Sequence, residues 1–396
     1  MKKKICVVGL GYIGLPTAAL LASKGYDVHG VDVVQSTVDI INRGEIHIVE
    51  PELDMFVKSA VSSGKLKADL KPTISDVFII AVPTPFHEGF VPNIDYVITA
   101  TKSISPFIKK GDMVILESTS PVGTTDLVAE ALRNENIDIS TIYISHCPER
   151  VLPGQIMREL VENDRIIGGI TPEATIKTVE FYKTFVSGEV LSTDAKTAEM
   201  AKLTENSFRD TNIAFANELS ILCDKFGIDV WELIKLTNRH PRVNVLQPSP
   251  GVGGHCIAVD PWFIVHAGGD DAKVIKTSRE VNTYKTEWTI EKIKNKSLEF
   301  EHEFGKKPKI ACMGLAFKPN IDDLRESPAL YITRKLIESK LDIIAVEPNI
   351  DTFDEFEITE YKYAIVNADI IVFLVAHNEF KNLKLKNYID FCGVTK

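Results

Sequence analysis

The sequence predicts an α/β protein: an N-terminal doubly wound parallel sheet, a central helical domain with one long helix, and a smaller C-terminal α/β domain. Short apolar runs alternate with helix-length segments over residues 1–190, the pattern of buried strands joined by crossover helices. Between Asp194 and Phe226 there is neither Pro nor Gly, so one long helix is the economical reading. After residue 309 the strand-and-helix alternation resumes. A chain of 396 residues also exceeds what one core organises, since domains hold about 100–200 residues each.

In order, Lys4–Val8 reads as a buried strand, Ile13–Ser23 as a helix ending near Gly25, and Asp27–Val31 as the next strand, together a βαβ unit. Val77–Val82, Met113–Glu117 and Tyr143–Ser145 extend the sheet and complete a domain over 1–190. A central domain over 191–300 follows, with the long helix, a helix at Val230–Leu236 and another at Ala272–Lys296. Between these lies Arg239–Pro261, irregular because of Pro241, Pro248, Pro250, Gly251, Gly253, Gly254 and Pro261. A structureless stretch that long inside a domain points to function. Glu299–Lys309, charged and carrying Gly305 and Pro308, reads as a linker. The last domain, 306–396, has strands at Lys309–Met313, Asp342–Val346 and Ile370–Val375 and a helix at Ser327–Ser339.

Composition excludes several classes. With 44% hydrophobic and 25% charged residues, disorder is not the main theme. Fifty-five acids against 45 bases give a net charge of −10, which argues against nucleic acid as a partner. Lys2-Lys3-Lys4 and the apolar residues after it mimic a signal peptide, but Gly9, Gly11, Gly14 and Pro16 break the run. Other apolar runs are far shorter than the ~20 residues of a membrane helix, so no membrane partner is expected. The six cysteines are scattered with no CxxC pair and no zinc-type cluster, which predicts reduced thiols, a cytoplasmic protein and no metal.

Gly9-Leu-Gly11-Tyr-Ile-Gly14 follows a strand and opens a helix, and Asp32 ends the second strand 18 residues after Gly14. This is a Rossmann-like arrangement. Its glycines permit a tight turn and close approach to a pyrophosphate at the helix N-terminus. The acid suits a ribose 2′-hydroxyl and repels a 2′-phosphate, so the expected cofactor is NAD, with Gly9, Gly11, Tyr12, Ile13, Gly14 and Asp32 as binding candidates. A glycine-rich turn without a ligand is the plainer alternative. Cys256 stands beside Gly251, Gly253 and Gly254, where the backbone has room to approach a ligand, and reads either as a nucleophile or as a packed thiol. The adjacent His255 is not assigned as its base. Lys202, Asn206 and Arg209 share one helix face, which reads as a site or as a solvated surface. Glu149 and Arg150 lie just past a strand end, where α/β ligands bind. Thr84 and Thr119 occupy similar places, as cofactor contacts or as turn residues.

These pieces in this order resemble the nucleotide-sugar 6-dehydrogenases, the UDP-glucose/GDP-mannose dehydrogenase family. The resemblance spans essentially the whole chain: GLGYIGLP at 9–16, VPTP at 82–85, ESTSPVGTT at 117–125, PERVLPG at 148–154, AEMAKLTENSFRDTNIAFANE at 198–218, GVGGHCIAVDP at 251–261 and GLAFKPNIDDLRESPA at 314–329. HCPERVLPG, NRHPRVN and VGGHCIAVDPWF look like the branch acting on UDP-N-acetyl-D-mannosamine; the glucose enzymes typically carry GGSC at the thiol loop.

The resemblance implies a UDP-sugar substrate whose C6 alcohol is oxidised to a carboxylate in two hydride transfers to NAD, in polysaccharide biosynthesis. It makes Cys256 the nucleophile of a thiohemiacetal and then a thioester. It makes Lys202 the stabiliser of the oxyanion, Asp260 and Thr119 a water-positioning pair, and Glu149 a carboxylate linked to the thioester step. Arg150, Val151, Lys202, Asn206, Arg209, Gly253, Phe317 and Lys318 fall on contacts to sugar or UDP, and Thr84, Thr119 and Arg325 on contacts to NAD. His240 and Arg242 lie where the family reaches into a neighbouring subunit's site, so a homodimer or higher oligomer is implied. Gly314-Leu-Ala-Phe317 lacks GxGxxG, which fits UDP binding by the last domain. The same chemistry on UDP-N-acetylglucosamine or UDP-glucose, a single-step hydroxyacid dehydrogenase and a silent NAD-binding regulator are the competing readings.

Overall fold

A computed structural model describes residues 3–254, 256–383, 385 and 387–396. The chain divides into two compact units, Met1–Thr204 and Glu205–Lys396. In the first, strands β1 (Lys4–Val8), β2 (Asp27–Val31), β3 (Leu66–Asp69) and β4 (Val77–Ile80) are followed by a small hairpin, β5 (Phe86–His87) and β6 (Val91–Pro92). Then come β7 (Met113–Leu116), β8 (Tyr143–His146), β9 (Arg165–Gly169) and β10 (Val190–Asp194). The eight-stranded sheet has the order β10-β9-β8-β7-β4-β1-β2-β3. From β1 the chain leaves one way to β2 and later returns on the other side at β4, so a ligand crevice opens past the carboxyl ends of β1 and β4. Both faces carry cores: Leu15, Leu21 and Val57 cover one, and Val97, Val128 and Leu132 the other.

Two features depart from an all-parallel reading. β9 runs antiparallel to β8, with His146 opposite Gly168, and β10 is parallel to β9. Continuing that register sets the start of β9, Arg165, beside residue 149 at the carboxyl edge.

The helix Ala195–Phe226 runs from the first unit into the second. Within the second unit, helices span Val230–Thr237, Asp260–Gly268 and Lys273–Phe304. The expectation of a linker from Glu299 is corrected here. The helix that begins at Lys273 continues to Phe304, because glutamates are good helix formers and Phe300 is buried against the C-terminal core. It stops at Gly305, whose φ of 67° is the left-handed cap glycine accepts readily. β11 (Lys309–Met313), β12 (Asp342–Val346), β13 (Ile370–Phe373) and β14 (Tyr388–Asp390) form a parallel sheet in the order β12-β11-β13-β14. No helix of the described residues is long and apolar enough to cross a membrane.

Candidate active site

The first turn is built for a dinucleotide. Gly9 adopts φ +92°, and a Cβ there would sit 2.6 Å from the Ala81 carbonyl oxygen. At Gly14 a Cβ would fall 1.8 Å from the Gly9 carbonyl oxygen, so the turn itself excludes a side chain. At Gly11 it would meet nothing within 4 Å. The protein's own packing therefore does not require glycine at 11, and the backbone there is open to the approach of a diphosphate. No acidic residue occupies the first turn of the helix Gly14–Ser23, leaving its positive end to an anion. Tyr12 is exposed and Ile13 half-buried. Asp32 is fixed at both oxygens, accepting from Leu10 N at 3.0 Å and Val34 N at 2.9 Å. These residues fit a nicotinamide dinucleotide with an unphosphorylated ribose. Thr84 and Thr119 come together: the Thr84 hydroxyl donates to the Thr119 carbonyl at 2.6 Å.

Beside this crevice lies a buried charged cluster. Glu149 accepts from Arg165 Nη1 at 2.5 Å and from Arg150 N at 2.6 Å, and both partners of the ion pair are almost fully buried. Arg165 is the consequence of the reversed β9 described above. Glu117, just past β7, accepts from the Tyr182 hydroxyl at 2.6 Å. Burial, and then the charge of Glu149, push its carboxyl up to about 7. Burial also pushes the Cys147 thiol up to about 12, which disqualifies it as a nucleophile. Arg150 donates to the Asp164 carbonyl at 3.1 Å, and Val151 packs on the core. The loop that carries them is pinned by Glu50, which accepts from Gly154 N at 2.8 Å and Ile156 N at 2.7 Å. Sequence reading missed Glu50, Glu117 and Arg165. Arg165 alone left a signal, a lone charge in the strand Arg-Ile-Ile-Gly-Gly.

Among the described residues of the second unit, Cys256 is the cysteine exposed to solvent. Its carbonyl accepts from Asp260 N at 2.8 Å, placing it one turn ahead of the helix Asp260–Gly268, at the end that favours negative charge. Asp260 is buried and accepts from Asn206 Nδ2 at 2.5 Å. The polar face of the long helix is thus not uniformly solvated: Asn206 is buried, Lys202 half-buried and Arg209 exposed.

The glycines beside Cys256 also answer a need of the protein's own packing. A Cβ at Gly251 would lie 2.3 Å from Thr286 Oγ1, at Gly253 2.5 Å from the Glu326 carbonyl oxygen, and at Gly254 2.7 Å from the Phe317 ring. Protein atoms already occupy those spaces, so the glycines let the thiol loop pack on the segment after β11. Hydrogen bonds complete the fixation, from Gly254 N to the Arg325 carbonyl at 3.1 Å, Thr286 Oγ1 to the Pro250 carbonyl at 2.9 Å and Ser249 N to Asn217 Oδ1 at 2.8 Å. Asn217 is in turn held by Asn282, and Asn282 bonds Asp210, the buried partner of Arg279. His255 lies outside the described residues.

Phe317 is half-buried and Lys318 exposed. Arg325 forms a two-pronged ion pair with Asp323, at 3.0 and 2.6 Å. His240 and Arg242 stand on an exposed stretch, 239–244, where Arg242 N donates to His240 Nδ1 at 3.3 Å. Among the described residues no three His, Cys, Asp or Glu side chains are grouped to hold a metal ion.

Comparison with known proteins bears on all three segments. Residues 3–186 match the NAD binding domain of the UDP-glucose/GDP-mannose dehydrogenase family, 196–284 its central domain and 311–394 its UDP binding domain. A UDP-N-acetyl-D-mannosamine dehydrogenase of Campylobacter jejuni is 56% identical across 98% of this chain and 99% of its own. An NDP-N-acetyl-D-galactosaminuronic acid dehydrogenase of Ralstonia nicotianae is 52% identical across 96% of this chain and 92% of its own. A solved UDP-N-acetyl-mannosamine dehydrogenase from S. aureus superposes with a TM-score of 0.89 at 43% identity, covering 99% of this chain and 96% of that one. With every segment matched in order and such relatives covered end to end, the chain belongs to the UDP-glucose/GDP-mannose dehydrogenase family.

Proposed function

We propose that this chain is an NAD-dependent UDP-N-acetyl-D-mannosamine 6-dehydrogenase, oxidising the C6 alcohol of the sugar to the carboxylate. The observation that carries the reading is Cys256, exposed one turn before a helix and beside the fixed pair Asn206–Asp260, in a chain whose near relatives include an enzyme of that name. Each of the two oxidations delivers a hydride to NAD, the chemistry the bound cofactor supplies. The Cys256 thiolate adds to the first product, an aldehyde, and holds it as a thiohemiacetal; the second oxidation yields a thioester, and water releases the carboxylate and the thiol. Lys202 offers an ammonium to the developing oxyanion. Asp260, kept in place by Asn206, and Thr119 orient the water that moves protons, and Glu149 serves the hydrolytic step. Arg150, Val151, Asn206, Arg209, Gly253, Phe317 and Lys318 hold the UDP-sugar, and Gly9, Gly11, Tyr12, Ile13, Gly14, Asp32, Thr84 and Arg325 hold NAD.

The working form is a cytosolic homo-oligomer in which His240 and Arg242 complete a neighbour's site. An apolar stripe on the long helix supports association: Phe208, Phe215 and Leu222, seven residues apart, and Phe226 are all exposed, a pattern that copies of the helix can cover. A panel of UDP-sugars with NAD, followed by NADH absorbance, tests the assignment. UDP-N-acetyl-D-mannosamine should give the highest kcat/KM. A preference for UDP-N-acetylglucosamine, UDP-glucose or an N-acetylgalactosamine nucleotide overturns the choice of sugar, and no NADH from any of them overturns the enzyme.

A further inference from the structure

The C-terminal sheet repeats the nucleotide-binding turn of the N-terminal one and then closes it from within. Gly314, at φ +97°, donates its N–H to the Val346 carbonyl at 2.8 Å, as Gly9, at φ +92°, does to Val31 at 2.8 Å. An acid follows the second strand of each sheet, Asp32 after β2 and Glu347 after β12. Each acid also accepts from the amide after its turn glycine, Leu10 or Leu315, and from the amide two residues beyond itself, Val34 or Asn349. The likeness ends at burial: Asp32 is half-buried at the mouth of its crevice, whereas Glu347 is buried and takes further protein donors.

Glu347 Oε2 accepts from Leu315 N at 2.8 Å and Ala316 N at 2.9 Å, and lies 3.1 Å from His377 Nε2. Its Oε1 accepts from Asn349 N and from Asn349 Nδ2, both at 3.1 Å. His377 is completely buried, and its Nδ1 accepts from Asn320 N at 3.0 Å. An amide N–H only donates, so Nδ1 is the bare nitrogen, and Nε2 carries the hydrogen it gives to Glu347. Burial alone would push the Glu347 carboxyl up; His377 and the amides of Leu315 and Ala316 reverse this and hold it down to about 2. The carboxylate that this fold elsewhere offers to a ribose is thus fully engaged by protein donors.

The two residues grip both ends of one short segment, at Leu315–Ala316 and at Asn320. Between the grips stand Phe317, whose ring fills the space over Gly254 of the thiol loop, and Lys318, exposed to solvent. We infer that Glu347 and His377 are a positioning pair: they hold segment 315–320 in the one conformation that presents Lys318 to the diphosphate of UDP and Phe317 to the Cys256 loop. The inference rests on the reading above that Lys318 contacts UDP.

The test uses the full-length protein, with UDP titrated by calorimetry and kcat and KM measured for the UDP-sugar and for NAD. Glu347→Gln keeps the shape but turns one acceptor into a donor facing donors. His377→Gln keeps a donor toward Glu347 and loses the acceptor for Asn320, and it serves if Glu347→Gln does not fold. Either should weaken UDP binding about tenfold and raise the KM for the UDP-sugar, leaving the KM for NAD within about twofold. Lys318→Ala should weaken UDP to a similar degree, and adding it to either Gln variant should cost little more, since the lysine is already misplaced. If Lys318→Ala leaves UDP binding intact, the contact itself fails and the pair has nothing to position. If Lys318→Ala weakens UDP but both Gln variants bind it as the wild type does, the contact stands and the positioning role is overturned. Strictly additive losses also overturn it.

Discussion

Glu117→Gln is the sharpest physical test of the buried cluster beside the cofactor crevice. Glu117 has an ordinary carboxyl value of 4.5 when the chain is unfolded, and burial with Glu149 nearby raises it to about 7 in the fold. At about 1.36 kcal/mol per tenfold change in proton affinity, that preference amounts to about 3 kcal/mol. The native state binds this proton more tightly than the unfolded chain. Its stabilisation is therefore complete below pH 4.5, shrinks as pH rises, and is gone above pH 7. Three of its neighbours keep one charge state over this range: Cys147 is pushed up to about 12, Tyr182 lies well above its usual value, and Arg165 stays cationic. Glutamine retains an oxygen for the Tyr182 hydroxyl but has no proton to lose. Relative to the wild type, the variant should gain about 3 kcal/mol between pH 4.5 and pH 8. Trp231, Trp262 and Trp288 all lie in the second unit, so tryptophan emission is blind to this region. Urea unfolding should instead be read by pulsed hydrogen exchange of the peptide containing β7. A stability difference that stays flat with pH would refute the account of Glu117.

Three further outcomes follow from the site. Cys256→Ser should lower carboxylate formation by about 10³-fold or more, with UDP-sugar and NAD still bound, while Cys147→Ser and Cys223→Ser, at buried thiols, keep substantial turnover; product mass spectrometry on the three variants decides. Asp32→Asn should narrow the preference for NAD over NADP by about tenfold in kcat/KM, because the repulsion of a 2′-phosphate is removed. Inactive Cys256→Ser and Arg242→Ala proteins, mixed under conditions that exchange subunits, should regain part of the activity; exchange without recovery would exclude a shared site.

Strands β1, β4 and β7 were legible because each is a compact apolar run closed by turn residues, and β2, Asp-Val-His-Gly-Val, as the strand that completes the βαβ unit. β3 was not, since Leu-Lys-Ala-Asp alternates at a sheet edge, and β9 hid behind its own arginine and two glycines. The motif residues were legible as positions but not as partners. Nothing in the sequence tells that Asn206 meets Asp260 across 54 residues, or that Glu50 reaches Gly154 across 104. The glycines around Cys256 show why. Their presence announces that a Cβ is forbidden, and only the fold reveals that the space belongs to Phe317, Thr286 and the Glu326 backbone. Gly11 is the opposite case, where the fold leaves the space open.

The central claim is a four-electron oxidation carried through Cys256, and the amount of NADH formed per UDP-N-acetyl-D-mannosamine consumed tests it most directly. With NAD in excess and the sugar nucleotide limiting, the account requires two NADH per sugar and one uronate, with no aldehyde released. One NADH per sugar with free aldehyde would contradict it and leave a simple alcohol dehydrogenase.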